Sequence, residues 1–215
     1  MTDRYDTSHL PEDQYEPGSN GKVLRNKRGI VDPVEMAEEE TNALWRAQKK
    51  LIGEVASDQS FTVQDICNMH RLWLKNIYPW AGQLRVVNIS KGGFDFAQAP
   101  FLVTLLDEFE HIQLRTYTPC NFERREEVAQ ALAEVHVELM LIHPFREGNG
   151  RLGRIVATLM ALQAGLPVLD FSGLDGARRE EYFTAVRAGL DRDYLPMKRL
   201  FTDVIENSLP ASQGG

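Results

Sequence analysis

Between Arg124 and Ile142 the apolar residues Val128, Ala131, Leu132, Val135, Leu139 and Ile142 recur every three or four positions, which lays one stripe along an α-helix. Pro144 interrupts this pattern, because its ring cannot continue a helix. A second, more strongly apolar helical segment then runs from Arg151 to Ala164. Two such segments joined by a short turn must bury their faces against one another, and that constrains the chain to a helical domain. The rest of the sequence agrees. A helix is expected from Asp32–Pro33, an N-cap followed by Pro at the first helical position, with Met36, Ala43 or Leu44, Ala47, Leu51 and Val55 turned inward. Others are expected from Thr62 to Ile77, ended by Pro79 and Gly82, from Pro100 to Thr116, from Ala177 to Leu190 and from Pro196 to Ser208. Only the stretch from Leu84 to Phe96 reads as a strand, and Lys91-Gly92-Gly93 within it suits a tight reversal. The expected fold is all-α, a helical bundle around a central helix with one small β-hairpin. The expected division is an extended, loosely attached lead-in over 1–31, one domain over 32–208 and a C-terminal tail over 209–215.

Composition sets the outer limits. A chain of 215 residues with 43% hydrophobic and 26% charged residues is ordinary for one globular domain. Its 24 basic and 31 acidic residues give 24 − 31 = −7, which argues against a broad nucleic-acid footprint but not against a small phosphate pocket. No run approaches the roughly 18 apolar residues of a membrane-spanning helix, and the polar, acidic first residues do not read as a signal peptide. Cys67 and Cys120 form no CxxC pair and fit a reducing compartment. The expectation is a cytoplasmic protein without nucleic-acid or membrane partners. Its oligomeric state is open.

The chemistry is concentrated in His143-Pro144-Phe145-Arg146-Glu147-Gly148-Asn149-Gly150-Arg151-Leu152-Gly153-Arg154. His143 falls where a long helix gives way to a loop, so its imidazole can be both held and exposed. Gly148 and Gly150 free the backbone for close approach at the start of the next helix, whose unpaired N–H groups form an anion site. Arg151 and Arg154, three residues apart, project from one face of the first turn, and guanidinium groups suit phosphate oxygens. Glu147 is a hard oxygen ligand suited to Mg²⁺ bridging phosphates. Each feature alone is ordinary for a helix corner; together they describe a nucleotide phosphate site. His136 and His143 are seven apart, yet no HExxH or other ligand spacing accompanies them, and Trp45, Trp73 and Trp80 read as packing residues. Arg146 is expected to be solvated.

The twelve residues resemble the signature H-x-F-x-[DE]-G-N-G-R-x-x-R of the Fic family at every fixed position, and Asn88 to Phe94 resembles the family's flap. The resemblance, over roughly residues 33–205, implies the Fic fold and a protein adenylyltransferase, which moves AMP from ATP to a Ser, Thr or Tyr hydroxyl of a target protein. It implies His143 as general base, Glu147 as the Mg²⁺ ligand, and Gly148, Asn149, Gly150, Arg151 and Arg154 as phosphate-binding residues, with Phe145 an inward anchor. The flap would dock an extended target segment, and Lys91 and Gly92 would approach the nucleotide. The related death-on-curing toxins, which phosphorylate, resemble the family but carry Ala-Asn-Lys-Arg where this chain has Gly-Asn-Gly-Arg, so Gly150 and Glu147 favour AMP transfer. Transfer of another nucleotide or of a phosphate, and a binding module without turnover, stay as alternatives. Thr202-Asp203-Val204-Ile205-Glu206-Asn207 matches the inhibitory pattern [ST]-x-x-x-E-[GN], whose Glu would pair with the second motif arginine and restrain a toxin from within. The lead-in instead resembles cell-filamentation and effector types, whose inhibitory helix sits on a separate small antitoxin, so a partner protein and translocation as an effector are the competing expectations.

Overall fold

The computed structural model describes residues 10–174 and 176–210. Its elements are α1 (Pro33–Glu54), α2 (Val63–Leu74), β1 (Ser90–Lys91), β2 (Phe94–Asp95), α3 (Leu102–Phe109), α4 (Arg115–Tyr117), α5 (Arg125–Ile142), α6 (Asn149–Gln163), α7 (Arg179–Ala188) and α8 (Leu195–Ser208). A π-turn, Glu110–Leu114, joins α3 to α4 without a break. Mostly helical with one two-stranded antiparallel sheet, the fold is the one expected.

The centre is α5 lying on α6 and α8. Ala129, Ala131 and Ala133 are buried on α5 beside Val128, Leu132, Val135 and Leu139, so the helix is covered on more than one side. Short alanines let neighbouring backbones approach closely. Gly153 on α6 serves the same end: a Cβ there would lie 2.7 Å from the Met140 methyl and 3.0 Å from the His136 ring. The pair α1–α2 packs together and also meets α6.

Helix ends follow their sequence signals. Asp32 accepts from the Val34 and Glu35 N–H groups at 2.8 and 3.0 Å. Thr62 and Asp65 form a reciprocal capping box. The second helix closes at Leu74 rather than Ile77, because Ile77 and Tyr78 turn inward instead and pack with Trp80 against α1. The motif helix begins earlier than expected, at Asn149. Of the strand-like stretch, only four residues pair, in the register Ser90↔Asp95 and Lys91↔Phe94 around a turn with Gly92 and Gly93 at φ +58 and +78. Residues 84–89 are held by side chains from elsewhere.

The lead-in differs from the loose attachment expected of it. Residues 1–9 lie outside the described residues, but from Leu10 onward the segment is fastened down. Tyr15 bridges to Leu24, Val23 and Leu24 are buried against Met36 and Ile77, and the buried Glu12 carboxylate accepts from the Val86 and Val87 N–H groups at 2.7 and 2.9 Å. Arg146 is not solvated. Its Nε donates to the Glu12 carbonyl at 3.1 Å and its Nη2 lies 3.6 Å from Asp13. Trp45 is also misplaced by the sequence reading: 65% exposed, it carries Lys49 over its ring, while Trp73 and Trp80 are buried. Cys67 and Cys120 are buried free thiols. Among the described residues no helix is long and apolar enough to cross a membrane.

Candidate active site

The site is the loop between α5 and α6, and its shape begins with two left-handed residues. His143 closes α5 at φ +51, with its N–H on the Leu139 carbonyl at 3.0 Å. Gly148 opens α6 at φ +87, where a Cβ would lie 2.6 Å from the Trp73 ring. Between them Phe145 is fully buried, stacked on His70 at 4.0 Å between centroids. Asn149 locks the turn: its Oδ1 accepts from the Phe145 N–H at 2.9 Å and its Nδ2 donates to the Phe145 carbonyl at 2.7 Å. With both side-chain ends so engaged and only 2% exposed, Asn149 has its backbone N–H rather than its carboxamide left to offer a ligand. That N–H and those of Gly150 and Arg151 fall in the first turn of α6, where no i−4 carbonyl is available to them.

His70 fastens the loop from below. Its Nδ1 accepts from the Gly82 N–H at 2.8 Å, so its Nε2 carries the proton and donates to the Glu147 carbonyl at 3.1 Å. Burial pushes its pKa down to about 4.

His143 is held in a base-competent state. Its Nδ1 lies 3.1 Å from the Met140 carbonyl, which places the ring proton there and leaves Nε2 with a lone pair. Phe96 from the hairpin return stacks on the ring at 3.7 Å and 21°. Burial lowers the pKa to about 4, with the Arg85 and Lys91 charges acting in the same direction against the Met140 bond and Glu147. The imidazole is therefore neutral throughout the physiological range.

Glu147 projects outward, its side chain 47% exposed, with Oε1 accepting from the Gly148 N–H at 2.8 Å and lying 3.4 Å from Arg151. Arg151 sits over the Trp73 ring at 4.7 Å and pairs with the buried Glu40 of α1 at 2.7 Å. Glu40 also accepts from the Tyr78 hydroxyl at 2.6 Å. Arg154 leaves the same stretch of helix but reaches elsewhere, its guanidinium 5.5 Å from the Phe171 ring centre. Among the contacts described, Arg151 is held by Trp73 and Glu40, and Arg154 lies over Phe171. Lys91 and Gly92 are exposed at the hairpin, Lys91 near enough to act on His143 electrostatically.

Thr202, Glu206 and Asn207 are not brought to this loop. Thr202 bonds back to the Lys198 carbonyl at 3.0 Å, and Glu206 is exposed on α8 without an ion pair to either arginine among the described residues.

Several supports escaped the sequence reading. Glu40 occupies a position on the inward stripe of α1, with Met36, Ala43 and Ala47, and a carboxylate there signals a buried partner. Arg85 interrupts an apolar run and Phe96 follows the hairpin, but neither has a local pattern that predicts its contact.

The buried histidines carry a stability prediction. His70, His136 and His143 all have native pKa values near 4, below the ordinary 6.5, so the unfolded chain binds more protons between those values. Stability is full above pH 6.5 and falls as pH drops toward 4, by up to about 3 kcal/mol for each fully buried histidine. Urea midpoints at pH 7 and 4.5 check this; equal midpoints contradict it.

The geometry defines a class: a helical domain whose central helix opens on an amide-lined loop, with a neutral histidine and a hairpin beside it. The model of the Fic/DOC family matches residues 60–161. The chain is 29% identical over 163 residues to a probable protein adenylyltransferase of Sinorhizobium fredii, covering 75% of this chain and 81% of that one. It is 28% identical over 198 residues to the probable protein adenylyltransferase Fic of Salmonella typhimurium, covering 89% and 91%. The fold matches the BepC protein of Bartonella tribocorum, a VirB-translocated effector solved with bound AMPPNP, at a TM-score of 0.76 and 24% identity over 91% of this chain and 97% of that one. Over residues 60–161, which hold α2, the hairpin and the site loop, the chain is thus similar to the Fic/DOC family.

Proposed function

We propose that the protein is an ATP-dependent protein adenylyltransferase. The observation that carries this reading is the state of His143: anchored through Nδ1, neutral, with no hydrogen bond to Nε2 among the described residues, at the end of the loop that leads into α6. The names of the Sinorhizobium and Salmonella relatives support the same activity.

In the proposed reaction Nε2 of His143 takes the proton of a target hydroxyl as that oxygen attacks the α-phosphorus of ATP. The new bond joins protein oxygen to the α-phosphate; the bond to the β-phosphate bridging oxygen breaks, and pyrophosphate leaves with the electron pair. The amides of Asn149, Gly150 and Arg151 face the phosphate oxygens, and the arginine guanidinium groups meet the charge that develops on the leaving group. Mg²⁺ fits the donor set, because Glu147 is the exposed hard carboxylate beside those amides and Mg²⁺ commonly takes one or two carboxylates together with substrate phosphates. Bound there, it would supply charge neutralisation between the α- and β-phosphates. The hairpin, with Lys91 and Gly92 at its turn, offers an edge to an extended target segment, and Phe96 fixes that edge against His143. Restraint by a separate antitoxin-like partner fits better than internal restraint, since among the described residues no ion pair joins Glu206 to Arg151 or Arg154.

Gly150, with Glu147, favours this activity over phosphoryl transfer, as the resemblance to the family motif implies. Its φ is not in the positive range and nothing lies within 4 Å of a Cβ built there, so neither backbone nor packing requires glycine. Close approach of a ligand does. Incubation with ATP labelled on the α-phosphate is expected to label protein, and Glu147→Gln to remove most of the Mg²⁺-dependent signal. Label arriving from the γ-phosphate alone would place the chain among kinases and overturn the proposal.

A further inference from the structure

Arg85 is 1% exposed, and among the described residues no acidic side chain lies within ion-pairing distance of it. Glu12 is the carboxylate that acts on it electrostatically, and that carboxylate is itself bonded to the Val86 and Val87 N–H groups. A cation buried this deeply is costly unless its protons are all but fully used. They are. Nε donates to the His143 carbonyl at 2.7 Å, Nη1 to the Val87 carbonyl at 2.7 Å, and Nη2 to the Ala97 carbonyl and, at 3.3 Å, to the Ile142 carbonyl. The Arg85 N–H adds a fifth bond, to the Pro144 carbonyl at 2.9 Å.

The choice of carbonyls is informative. Ile142 and His143 end α5, where carbonyls lack helical partners and a cation is favoured by the helix dipole. Val87 and Ala97 stand on the two limbs that enter and leave the hairpin. A residue needed only to cap α5 would reach the first pair and stop. The flat guanidinium fork joins both pairs, and Phe96, next to Ala97, is the ring that stacks on His143. The Ala97 N–H to Leu141 carbonyl bond, 3.3 Å, closes the same joint from the other side.

Building on the adenylyl-transfer reading, we propose that Arg85 is the positioning residue of this site, a rigid joint that fixes the left-handed backbone of His143 and the base of the hairpin in one frame, so that a target seated on the hairpin meets Nε2. Arg85 does not touch the nucleotide. Its role is to hold the distance between acceptor and base.

Lysine keeps the charge but has no fork, so Arg85→Lys can satisfy only part of the set. The expected result is a fall in self- or target-labelling of about tenfold to a hundredfold, the scale of an ångström-level misplacement, with ATP affinity by calorimetry changed less than about threefold. The His143 ring resonances should titrate at a higher pH in the variant, because the loosened joint lets water reach the imidazole. Loss of ATP affinity in step with labelling, or an unchanged His143 titration, would reduce Arg85 to a structural cap and overturn the proposal. If Arg85→Lys does not fold by circular dichroism, the unmodified protein answers instead: the Arg85 Nε–H resonance should move as His143 titrates, and a resonance indifferent to that titration overturns the idea. Absence of any transfer by the unmodified protein would count against the adenylyltransferase reading, while the resonance measurements still decide the placement of Arg85.

Discussion

His143→Ala is expected to reduce AMP transfer by about two to four orders of magnitude, the usual contribution of a general base, while leaving ATP binding nearly intact. The base is poised by three contacts of different kinds. The Met140 carbonyl sets the tautomer, Phe96 fixes the ring plane, and burial keeps the ring neutral. Because the left-handed backbone at His143 is strained for most side chains, His143→Asn is the cleaner companion; asparagine tolerates that conformation and cannot serve as the base. Both variants should lose transfer alike. With a native pKa near 4, the base form is complete above about pH 5, so the transfer rate should climb through pH 4 to 5 and show no further histidine-dependent rise near 6.5. A rate limb centred at 6.5 would mean that the ring is exposed and unheld.

The second large effect separates two glycines that look equivalent in sequence. Gly148→Ala meets both a left-handed backbone and the Trp73 ring, and should cost about 2–5 kcal/mol by adding backbone strain to overpacking. That corresponds to a fall in melting temperature of about 5–15 °C for a domain of this size. Gly150→Ala sits in a helix with open space around it and should stabilise the fold slightly, by about 0.5–1 kcal/mol. Its cost should appear in the nucleotide, as an affinity for ATP weaker by about tenfold or more. Thermal melts with and without ATP distinguish the pair, and equal behaviour of the two variants would remove the argument for ligand approach at Gly150.

Much of this was readable before any coordinates. The stripe from Val128 to Ile142, the Pro144 break and the Gly92-Gly93 reversal act over a few residues, where periodicity and backbone chemistry decide structure. His143, Glu147 and the α6 amides are likewise set by neighbours in the chain. What stayed hidden were contacts across long separations: Glu12 to Val86, Arg85 to Ala97 and Ile142, Arg151 to Glu40. Asn149 is a case of another kind. Its place in a phosphate motif suggested a ligand, and only the folded loop reveals that both ends of its side chain are used on Phe145. Trp45 and Arg146 erred in opposite directions for one reason, since burial is a property of the assembled surface and not of residue type.

Backbone amide shifts on adding ATP and Mg²⁺ put the whole scheme at risk in a single spectrum. The largest changes are expected at Gly148, Asn149, Gly150 and Arg151, with a second group at His143. Changes gathered instead along the basic groove of Arg46, Lys50 and Lys75 between α1 and α2, with the α6 amides unmoved, would mean that the nucleotide sits elsewhere on this chain.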